Sequence, residues 1–241
     1  MKGKVVIWRS HSLQLHKFPA FQHLPERVLQ EMAETACAHA LKAGDILLHQ
    51  GDTLESFYAV QSGALRLVSY SADGDSIALK LYGPGDVFGL LAISGTYSHP
   101  TQIEALHDSI LISINGQDVR RLITRSPELA LVIIDLLTAH VHEGHARVRN
   151  MANKRVDRRT AQFLITLSQK FGKPTPIGIL IDLPITQRDL AGFVNTTVET
   201  INRTLTLWSK QEILMCSHKR IEILNLPALE AIANTESFEA V

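Results

Sequence analysis

Residues 183–205 constrain this chain most strongly, because they carry two short helical patterns separated by a tight turn. Thr186 can cap the first helix, and Asp189, three residues later, completes a reciprocal capping pair. The apolar residues that this helix would bury are Leu190, Phe193 and Val194. We expect the turn near Asn195, so the segment is predicted to form a helix, a turn and a second helix.

The second helix is predicted to begin at a cap formed by Thr196 and Glu199, with Ile201 and Leu205 on its buried face. The polar residues on another face, at spacings i, i+3 and i+4, are Glu199, Asn202 and Arg203. Arginine can donate to guanine O6 and N7 together, glutamate can accept from cytosine N4, and asparagine can pair with adenine. This face therefore predicts a recognition helix that contacts base edges in DNA.

Short capped helix pairs also occur in globular proteins that bind no DNA, where Glu199 would only cap and Arg203 would only be solvated. The residues that follow favour DNA. Leu207 and Trp208 are predicted to continue the buried face. Residues 212–224 then alternate apolar and polar side chains on both sides of a basic tip, which indicates a hairpin. A helix-turn-helix followed by such a hairpin is a winged helix.

Cationic and hydroxyl side chains at the two helix starts and at the hairpin tip are predicted to contact DNA phosphates. These residues are Thr186, Arg188, Thr196, Thr197, His218, Lys219 and Arg220. The partner that this arrangement predicts is double-stranded DNA.

Length and charge set limits on this interpretation. At 241 residues the chain suits one or two domains, and a hydrophobic content of 45% is enough for packed cores. The formal net charge is zero, and residues 153–241 hold 11 Lys and Arg against 9 Asp and Glu. DNA binding must therefore depend on local patches of charge.

The chain shows no membrane or secretion signal. No apolar run approaches the roughly 18 residues that span a bilayer, and the start from Lys2 to His16 is too polar for a signal peptide. We expect a cytoplasmic chain with no membrane partner. Cys37 and Cys216 lie far apart, so we expect plain thiols and neither a disulfide framework nor a four-cysteine metal set.

Glycine and aspartate turns divide the segment from about Ala40 to Ser113 into strand-length apolar pieces. The turn residues are Gly44, Asp45, Gly51, Asp52, Gly63, Gly74, Asp75, Gly83, Pro84, Gly85, Asp86, Gly89 and Gly95. This pattern predicts an antiparallel barrel or roll. Such a module can be structural or dimerising, or it can be a sensor that holds a small molecule in its mouth.

A long helix is predicted from Ser126 to Asn153, followed by a second helix through residues 159–167. In the long helix, apolar or small residues recur at spacings of three and four, which is the pattern of a coiled-coil seam. The seam residues are Ile134, Leu137, Val141, Gly144, Val148 and Met151. The alternative is a helix that lies on its own domain. We favour a homodimer, because winged helices that bind palindromic sites need a twofold partner.

The order of roll, long helix and winged helix resembles the CRP/FNR superfamily of bacterial transcription factors, over nearly the whole chain. Residues 198–203 carry the most specific match. Residues 41–52 and 82–89 resemble the turns of the family's sensor roll, and residues 159–164 resemble the start of its DNA-binding domain.

The resemblance implies an α+β chain of three parts. An N-terminal antiparallel β-roll of the jelly-roll type, like a cyclic-nucleotide-binding domain, would span residues 18–125. The dimerisation helix would span 126–153, and the C-terminal winged helix-turn-helix would span 154–230. RNA polymerase would be a further partner if the protein is an activator.

By resemblance, Glu199 and Arg203 fall on the family's two main base-contacting positions. Val198, where other members have arginine, is similar to the FNR side of the superfamily, whose half-sites resemble TTGAT. Asn202 stands where that side usually has serine, which leaves the outer bases of the site open.

The resemblance also places an effector pocket, at Gly89, Leu90, His99, Pro100, Thr101, Gly144 and His145. Nucleotide-binding members hold the ribose with a glutamate and the phosphate with an arginine followed by serine or threonine. Here Leu90, His99 and Pro100 occupy those positions. A cyclic phosphate would lose its bidentate partner, so we expect an effector other than cyclic AMP.

Other cofactors are constrained by ligand supply. An FNR-type iron–sulfur cluster needs four thiolates, and the chain has two cysteines. Of the 11 histidines, His142 and His145 could share a helix face, whereas His140 lies about 200° from His142. Haem or metal sensing of a gas stays open as an alternative without a ligand signature, and we assign no metal site.

Two other classes of function were weighed. An enzyme is not indicated, since the sequence has no glycine-rich phosphate loop, no nucleophile elbow and no convincing carboxylate pair. A sensor protein that has lost DNA recognition would have little reason to keep Glu199, Asn202 and Arg203 beside a basic wing. The expectation is therefore a sequence-specific DNA-binding regulator.

Overall fold

The computed structural model describes residues 6–8, 15–70, 76–95, 97–153, 155–217 and 220–234, and for residues 6–8, 147 and 150–153 the backbone alone. The chain forms two compact units; the main division falls within a long helix, between Glu143 and Gly144, and Ile77–Leu79 is grouped with the second unit. None of the helices among the described residues is both long enough and apolar enough to cross a membrane.

The first unit is built mainly from strands. These are β1 (Val6–Trp8), β2 (Cys37–Leu41), β3 (Ile46–Leu48), β4 (Thr53–Leu54), β5 (Ser56–Ser62), β6 (Leu65–Tyr70), β7 (Ser76–Tyr82), β8 (Val87–Phe88), β9 (Tyr97–Ser98), β10 (Gln102–Ala105) and β11 (Ser109–Asn115). The helices are α1 (Glu26–Thr35), α2 (Gly116–Arg125) and the first part of α3 (Pro127–Asn153). Short 3-10 turns lie at Leu15–Lys17, Pro19–Phe21 and Leu90–Ile93.

The strands form an antiparallel roll, which confirms the prediction from the glycine turns. One sheet has the order β1-β2-β11-β5-β8, the other has the order β3-β10-β6-β7, and β4 pairs with β9 at the side. Val60 and Leu111 of the first sheet and Leu65 and Ile103 of the second are fully buried in one cluster. Burial of each such side chain stabilises the fold by about 1.5–3 kcal/mol.

A second cluster joins the roll to its helices. Met32 of α1, Ile114 of β11 and Leu129 of α3 are buried within it. Helix α3 starts at Pro127, directly after Ser126, and runs to Asn153, as the sequence predicts. Its first turns are therefore part of the core of the first unit.

The second unit combines helices with a small antiparallel sheet. Its elements are α4 (Val156–Phe171), β12 (Gly172–Pro174), β13 (Ile179–Ile181), α5 (Gln187–Val194), α6 (Val198–Lys210), β14 (Leu214–Ser217), β15 (Arg220–Ile223) and α7 (Leu226–Asn234). The sheet has the order β12-β13-β15-β14. Leu164, Leu190, Ile201 and Trp208 are buried, one from α4, one from α5 and two from α6. This arrangement is the winged helix-turn-helix that the sequence predicts.

Two glycines with a left-handed backbone allow a test of the roll. Gly44 and Gly63 have φ of 90° and 91°. A Cβ at Gly44 would meet nothing within 4 Å, whereas one at Gly63 would lie 2.6 Å from the carbonyl oxygen of Asp108. We expect Gly44→Ala to lower the free energy of unfolding by about 1–2 kcal/mol, and Gly63→Ala to lower it further, because backbone must move. Urea denaturation measures both; equal losses would contradict the close contact.

Candidate nucleic-acid interface

Helix α5 begins with the reciprocal cap that the sequence predicts. The Thr186 hydroxyl accepts from the amide of Asp189 at 3.1 Å, and the Thr186 amide donates to Oδ2 of Asp189 at 2.9 Å. The hydroxyl also donates to Oδ2 at 2.6 Å. Asp189 is buried, so these bonds satisfy an anion that would otherwise be costly to bury. The predicted capping pair is confirmed.

The turn after α5 has its pivot at Asn195, where the sequence predicts it. Asn195 has φ 52° and ψ 70°, a left-handed conformation that asparagine adopts more readily than most residues. Its amide donates to the carbonyl of Gly192 at 3.2 Å, and the amide of Thr196 donates to Ala191 at 2.9 Å. These are the two hydrogen bonds of a Schellman helix end.

The predicted cap of Thr196 with Glu199 is wrong. The N-cap of α6 is Thr197, whose hydroxyl accepts from the amide of Thr200 at 3.2 Å. The physical reason is the Schellman end of α5. Because Thr196 donates its amide back to Ala191, it belongs to the turn, and the next helix starts one residue later.

The three residues predicted to contact bases lie together on the solvent side of α6. Glu199, Asn202 and Arg203 are exposed, while Ile201 and Leu205 are buried. The carboxylate of Glu199 accepts hydrogen bonds from its own amide and from the Thr197 hydroxyl, which lower its pKa below the ordinary value. Glu199 is thus an ionised acceptor at neutral pH, close to the start of the helix.

Leu207 does not continue the buried face of α6, so this prediction is wrong. Its side chain is 52% exposed, whereas that of Trp208 is 3% exposed. Leu207 lies two positions after the buried Leu205, which rotates it by about 200° around the helix. It therefore shares the side of Arg203, four residues earlier.

The hairpin predicted for residues 212–224 is confirmed. β14 pairs with β15 in a register that sets Cys216 opposite Ile221 and Ser217 opposite Arg220. His218 and Lys219, the other two residues predicted to contact phosphates from the tip, lie outside the described residues.

Arg220 shares a carboxylate with a second cation. Its Nε lies 3.1 Å from Oδ1 of Asp182, and Nζ of Lys173 lies 2.8 Å from Oδ2 of the same residue. Both cationic side chains are well exposed. Sequence reasoning missed Lys173 and Asp182, because the pairing of β13 with β12 and β15 brings them together and no local spacing indicates it.

The remaining candidates for phosphate contact differ in what their donors do. Arg188 is exposed on the first turn of α5. The hydroxyl proton and the amide of Thr186 are both directed to Asp189. The Thr197 hydroxyl belongs to the α6 cap, and Thr196 is half-buried in the turn. Among the residues predicted to contact phosphates from the two helix starts, Arg188 is therefore the one cation, and it is exposed at the start of α5.

In the first unit, Gly89 and Leu90 form the start of a 3-10 turn. Gly89 has φ 78°, and a Cβ there would lie 2.9 Å from the carbonyl oxygen of Ser56. Leu90 is half-buried and packs against the cluster that includes α1 and α2. The position where nucleotide-binding members would carry glutamate is thus part of an apolar contact.

His99, Pro100 and Thr101 connect β9 to β10. Nδ1 of His99 lies 2.5 Å from the carbonyl oxygen of Thr101. A carbonyl only accepts, so Nδ1 carries the proton in this contact. The backbone of His99 is also bonded on both sides, its amide to Asp52 at 2.7 Å and its carbonyl to Gly51 at 2.8 Å. Pro100 is exposed and Thr101 is buried.

The other candidate residues lie on α3. Gly144 and His145 are exposed, as are His140 and His142. Ile134, Leu137, Val141 and Val148 of the predicted seam are between 40% and 66% exposed. The side chain of Met151 lies outside the described residues. Across the residues that the structure describes, no group of three or more His, Cys, Asp or Glu could hold a metal ion.

Helix α4 adds a contact that the sequence did not reveal. Arg159 donates from Nε to the carbonyl of Val194 at 2.9 Å and from Nη2 to the carbonyl of Asn195 at 3.0 Å. Burial lowers the pKa of its guanidinium from the ordinary value. The partners are 35 and 36 residues away along the chain, so only the packing of α4 against α5 brings them together.

Comparison with known proteins gives two family matches. Residues 38–126 match a cyclic nucleotide-binding domain. Residues 158–232 match a Crp-like helix-turn-helix domain. The bounds of the three predicted parts, 18–125, 126–153 and 154–230, remain predictions.

Relatives agree with these matches. The fumarate and nitrate reduction regulatory protein of Vibrio cholerae is 30% identical, over 80% of this chain and 77% of its own length. The transcriptional activator protein Anr of Pseudomonas protegens is 28% identical, over 80% of this chain and 79% of its own. The structure of FixK2 from Bradyrhizobium japonicum has the same fold, with a TM-score of 0.71 at 22% identity, over 84% of this chain and 99% of that one. The chain belongs to the CRP/FNR superfamily of transcription regulators and carries that family's helix-turn-helix DNA-binding domain.

Proposed function

We propose that this regulator is a homodimer that binds a palindromic DNA site with TTGAT-like half-sites and responds to an effector other than cyclic AMP. The observation that carries the proposal is the exposed face of α6. Glu199, Asn202 and Arg203 project together from the first two turns of a helix whose opposite side is anchored by Ile201, Leu205 and Trp208. Recognition helices contact base edges with residues near their start.

Each side chain of this face has a base partner. Arg203 can donate to guanine O6 and N7, and the ionised Glu199 can accept from cytosine N4. Its lowered pKa keeps Glu199 an acceptor through the neutral range. The 28–30% identity with regulators from Vibrio cholerae and Pseudomonas protegens supports an FNR-like half-site.

Phosphate contacts would fix the orientation of the helix on the duplex. Arg188 at the start of α5, with Lys173 and Arg220 at the base of the wing, supplies exposed cations in the second unit. Net charge cannot supply the attraction, since the whole chain has a formal charge of zero. The attraction to DNA must therefore come from the local placement of these cations.

Dimerisation through α3 is supported by its exposed apolar stripe. Leu137 and Val141 are 40% and 54% exposed, and they recur at the spacing of a coiled-coil seam. Because about half of each side chain is already buried, covering the rest with a second copy would stabilise a dimer by about 0.7–1.5 kcal/mol each. A twofold dimer would present two α6 helices to half-sites about 34 Å apart, one turn of DNA.

The effector proposal depends on the missing phosphate partner. Pro100 stands where nucleotide-binding members carry the residue after the phosphate-binding arginine, and His99 replaces that arginine. The imidazole of His99 points its Nδ1 proton at a backbone carbonyl, and Leu90 packs into an apolar cluster. A bound cyclic phosphate would lack a bidentate cation there.

The dimer proposal predicts that Leu137→Glu with Val141→Glu gives a monomer, because the carboxylates would face their own symmetry mates. Light scattering measures the mass. The matched control is Ala139→Glu with His142→Glu, which adds two glutamates to exposed positions away from the seam and should leave the dimer intact. A dimer that survives the seam variant would remove α3 as the interface.

The effector proposal predicts that calorimetry finds no sub-millimolar binding of cyclic AMP or cyclic GMP. The reason is the loss of the cation that nucleotide-binding members place on the phosphate. Micromolar binding of either nucleotide would show that another group in this chain holds the phosphate.

The DNA proposal is tested at Arg203. If Arg203 is bidentate to a guanine, Arg203→Ala removes about 1–3 kcal/mol of discrimination between a TTGAT-like palindrome and the same site with its guanine changed. Arg188→Ala or Lys219→Ala should weaken both duplexes alike and lower the salt slope by about one unit. Binding titrations at several salt concentrations give both quantities.

Glu199→Ala separates base contact from capping in the same assay. Glu199→Ala should relax specificity. Because the N-cap is Thr197, the melting temperature should fall by less than the loss of an N-cap would cause, even though the two hydrogen bonds that Glu199 accepts are lost. Loss of a residue that only caps would lower stability by about 1 kcal/mol and leave specificity unchanged.

The outcome at Arg203 decides the DNA proposal. If Arg203→Ala keeps the parent's ratio of affinities between the two duplexes, α6 is not the recognition helix.

A further inference from the structure

Two adjacent arginines of α4 each bind the end of a different helix. Arg158 donates from Nε to the carbonyl of Ala233 in α7 at 2.9 Å. Arg159 donates to two consecutive carbonyls, Val194 at 2.9 Å and Asn195 at 3.0 Å. Neighbours in sequence thus make similar bonds at two places in the second unit, and one of them is the turn before α6.

The carbonyls at the end of α5 need such a partner. The last four carbonyls of a helix receive no hydrogen bond from an amide within the helix, and they carry the negative end of the helix dipole. A guanidinium suits this place, because its planar fork can bond two oxygens at once and is charged at all relevant pH values. Arg159 is half-buried; its bond to Val194 is partly buried, whereas its bond to Asn195 is exposed.

The position of the two bonds gives them a geometric effect. The Val194 carbonyl belongs to the peptide plane before the Cα of Asn195, and the Asn195 carbonyl belongs to the plane after it. Peptide units are rigid and planar, so the two dihedral angles between them set the direction of the chain. By holding both planes, Arg159 restrains the left-handed φ and ψ of Asn195.

The dihedrals of Asn195 decide where α6 points. Thr197 caps α6 two residues later, and Thr196 between them is bonded to Ala191. A change of 10–20° at the pivot would therefore move the whole exposed face, and recognition sites tolerate only about that much misorientation.

We propose that Arg159 is a positioning residue for DNA recognition: it fixes the Asn195 pivot and so the direction in which α6 presents Glu199 and Arg203. This inference rests on the proposed DNA function. In this proposal Arg159 acts on DNA recognition through the turn that it holds, by its bonds to Val194 and Asn195.

The test compares Arg159→Lys with Arg158→Lys. Lysine keeps the charge in both variants and can still bond one carbonyl, so both should fold, but its single ammonium cannot reproduce a fork on two peptide planes. Arg158 is the matched control, because it lies on the same helix, makes a bond of the same kind and length, and holds α7 instead of the turn.

The first measurement needs no DNA. Amide hydrogen exchange at Asn195 and Thr196 reports opening of the hydrogen bonds that close the turn. We expect Arg159→Lys to speed exchange at these two amides by about tenfold, and Arg158→Lys to leave them at the parent rate. Unchanged exchange in Arg159→Lys would overturn the assignment of Arg159 to the pivot.

The second measurement is the ratio of affinities for the matched and altered duplexes. We expect Arg159→Lys to reduce this ratio by about fivefold or more, with the salt slope unchanged, and Arg158→Lys to retain the parent ratio even if its melting temperature falls as far. If Arg159→Lys and Arg158→Lys give equal affinity ratios, Arg159 only stabilises the fold. If a third variant, Arg159→Ala, lowers the salt slope by about one unit, Arg159 contacts a phosphate. Either result overturns the inference.

The two measurements also separate this inference from the proposed function. If the parent chain itself fails to distinguish the duplexes, the DNA proposal falls, while the exchange rates still decide whether Arg159 holds the turn. If the parent distinguishes them and Arg159→Lys does so equally well, the positioning role alone falls.

Discussion

The turn between α5 and α6 is the constraint on which the rest of the second unit depends. It places one non-glycine residue, Asn195, in a left-handed conformation, and closes α5 with amides from Asn195 and Thr196. The buried capping box of Thr186 and Asp189 fixes the other end of α5. With both ends fixed, α6 has a defined start and a defined direction. These backbone bonds therefore set the direction in which α6 presents its exposed face.

The one-residue shift of the α6 cap shows which features of a helix are robust. The predicted cap was Thr196 and the observed cap is Thr197, yet Glu199, Asn202 and Arg203 share the exposed side of the helix as predicted. A helix is rotated by the apolar side chains that it must bury, and Ile201 and Trp208 determine that rotation here. The cap decides only where the helix begins. The same principle explains the exposure of Leu207, whose position around the axis outweighs its hydrophobicity.

The roll and the DNA-binding unit use charge in different ways. In the second unit, exposed cations lie at the start of α5 (Arg188) and at the base of the wing, where Lys173 and Arg220 both pair with Asp182. In the first unit, Leu90 packs against an apolar cluster and Nδ1 of His99 is bonded to the carbonyl of Thr101. A chain whose formal charge is zero can therefore still present exposed cations in one unit.

Local signals in the sequence determined the elements of this protein. The capping spacing of Thr186, the glycine turns of the roll and the apolar periodicity of α6 act within a few residues, so they can be recognised without a fold. The bonds of Arg159 to the α5 end and the ion pairs of Asp182 join residues that are distant in sequence or carried by different strands. No spacing encodes them. The tertiary structure decided them, because packing α4 against α5 and pairing β13 with β15 is what brings those groups within hydrogen-bond distance.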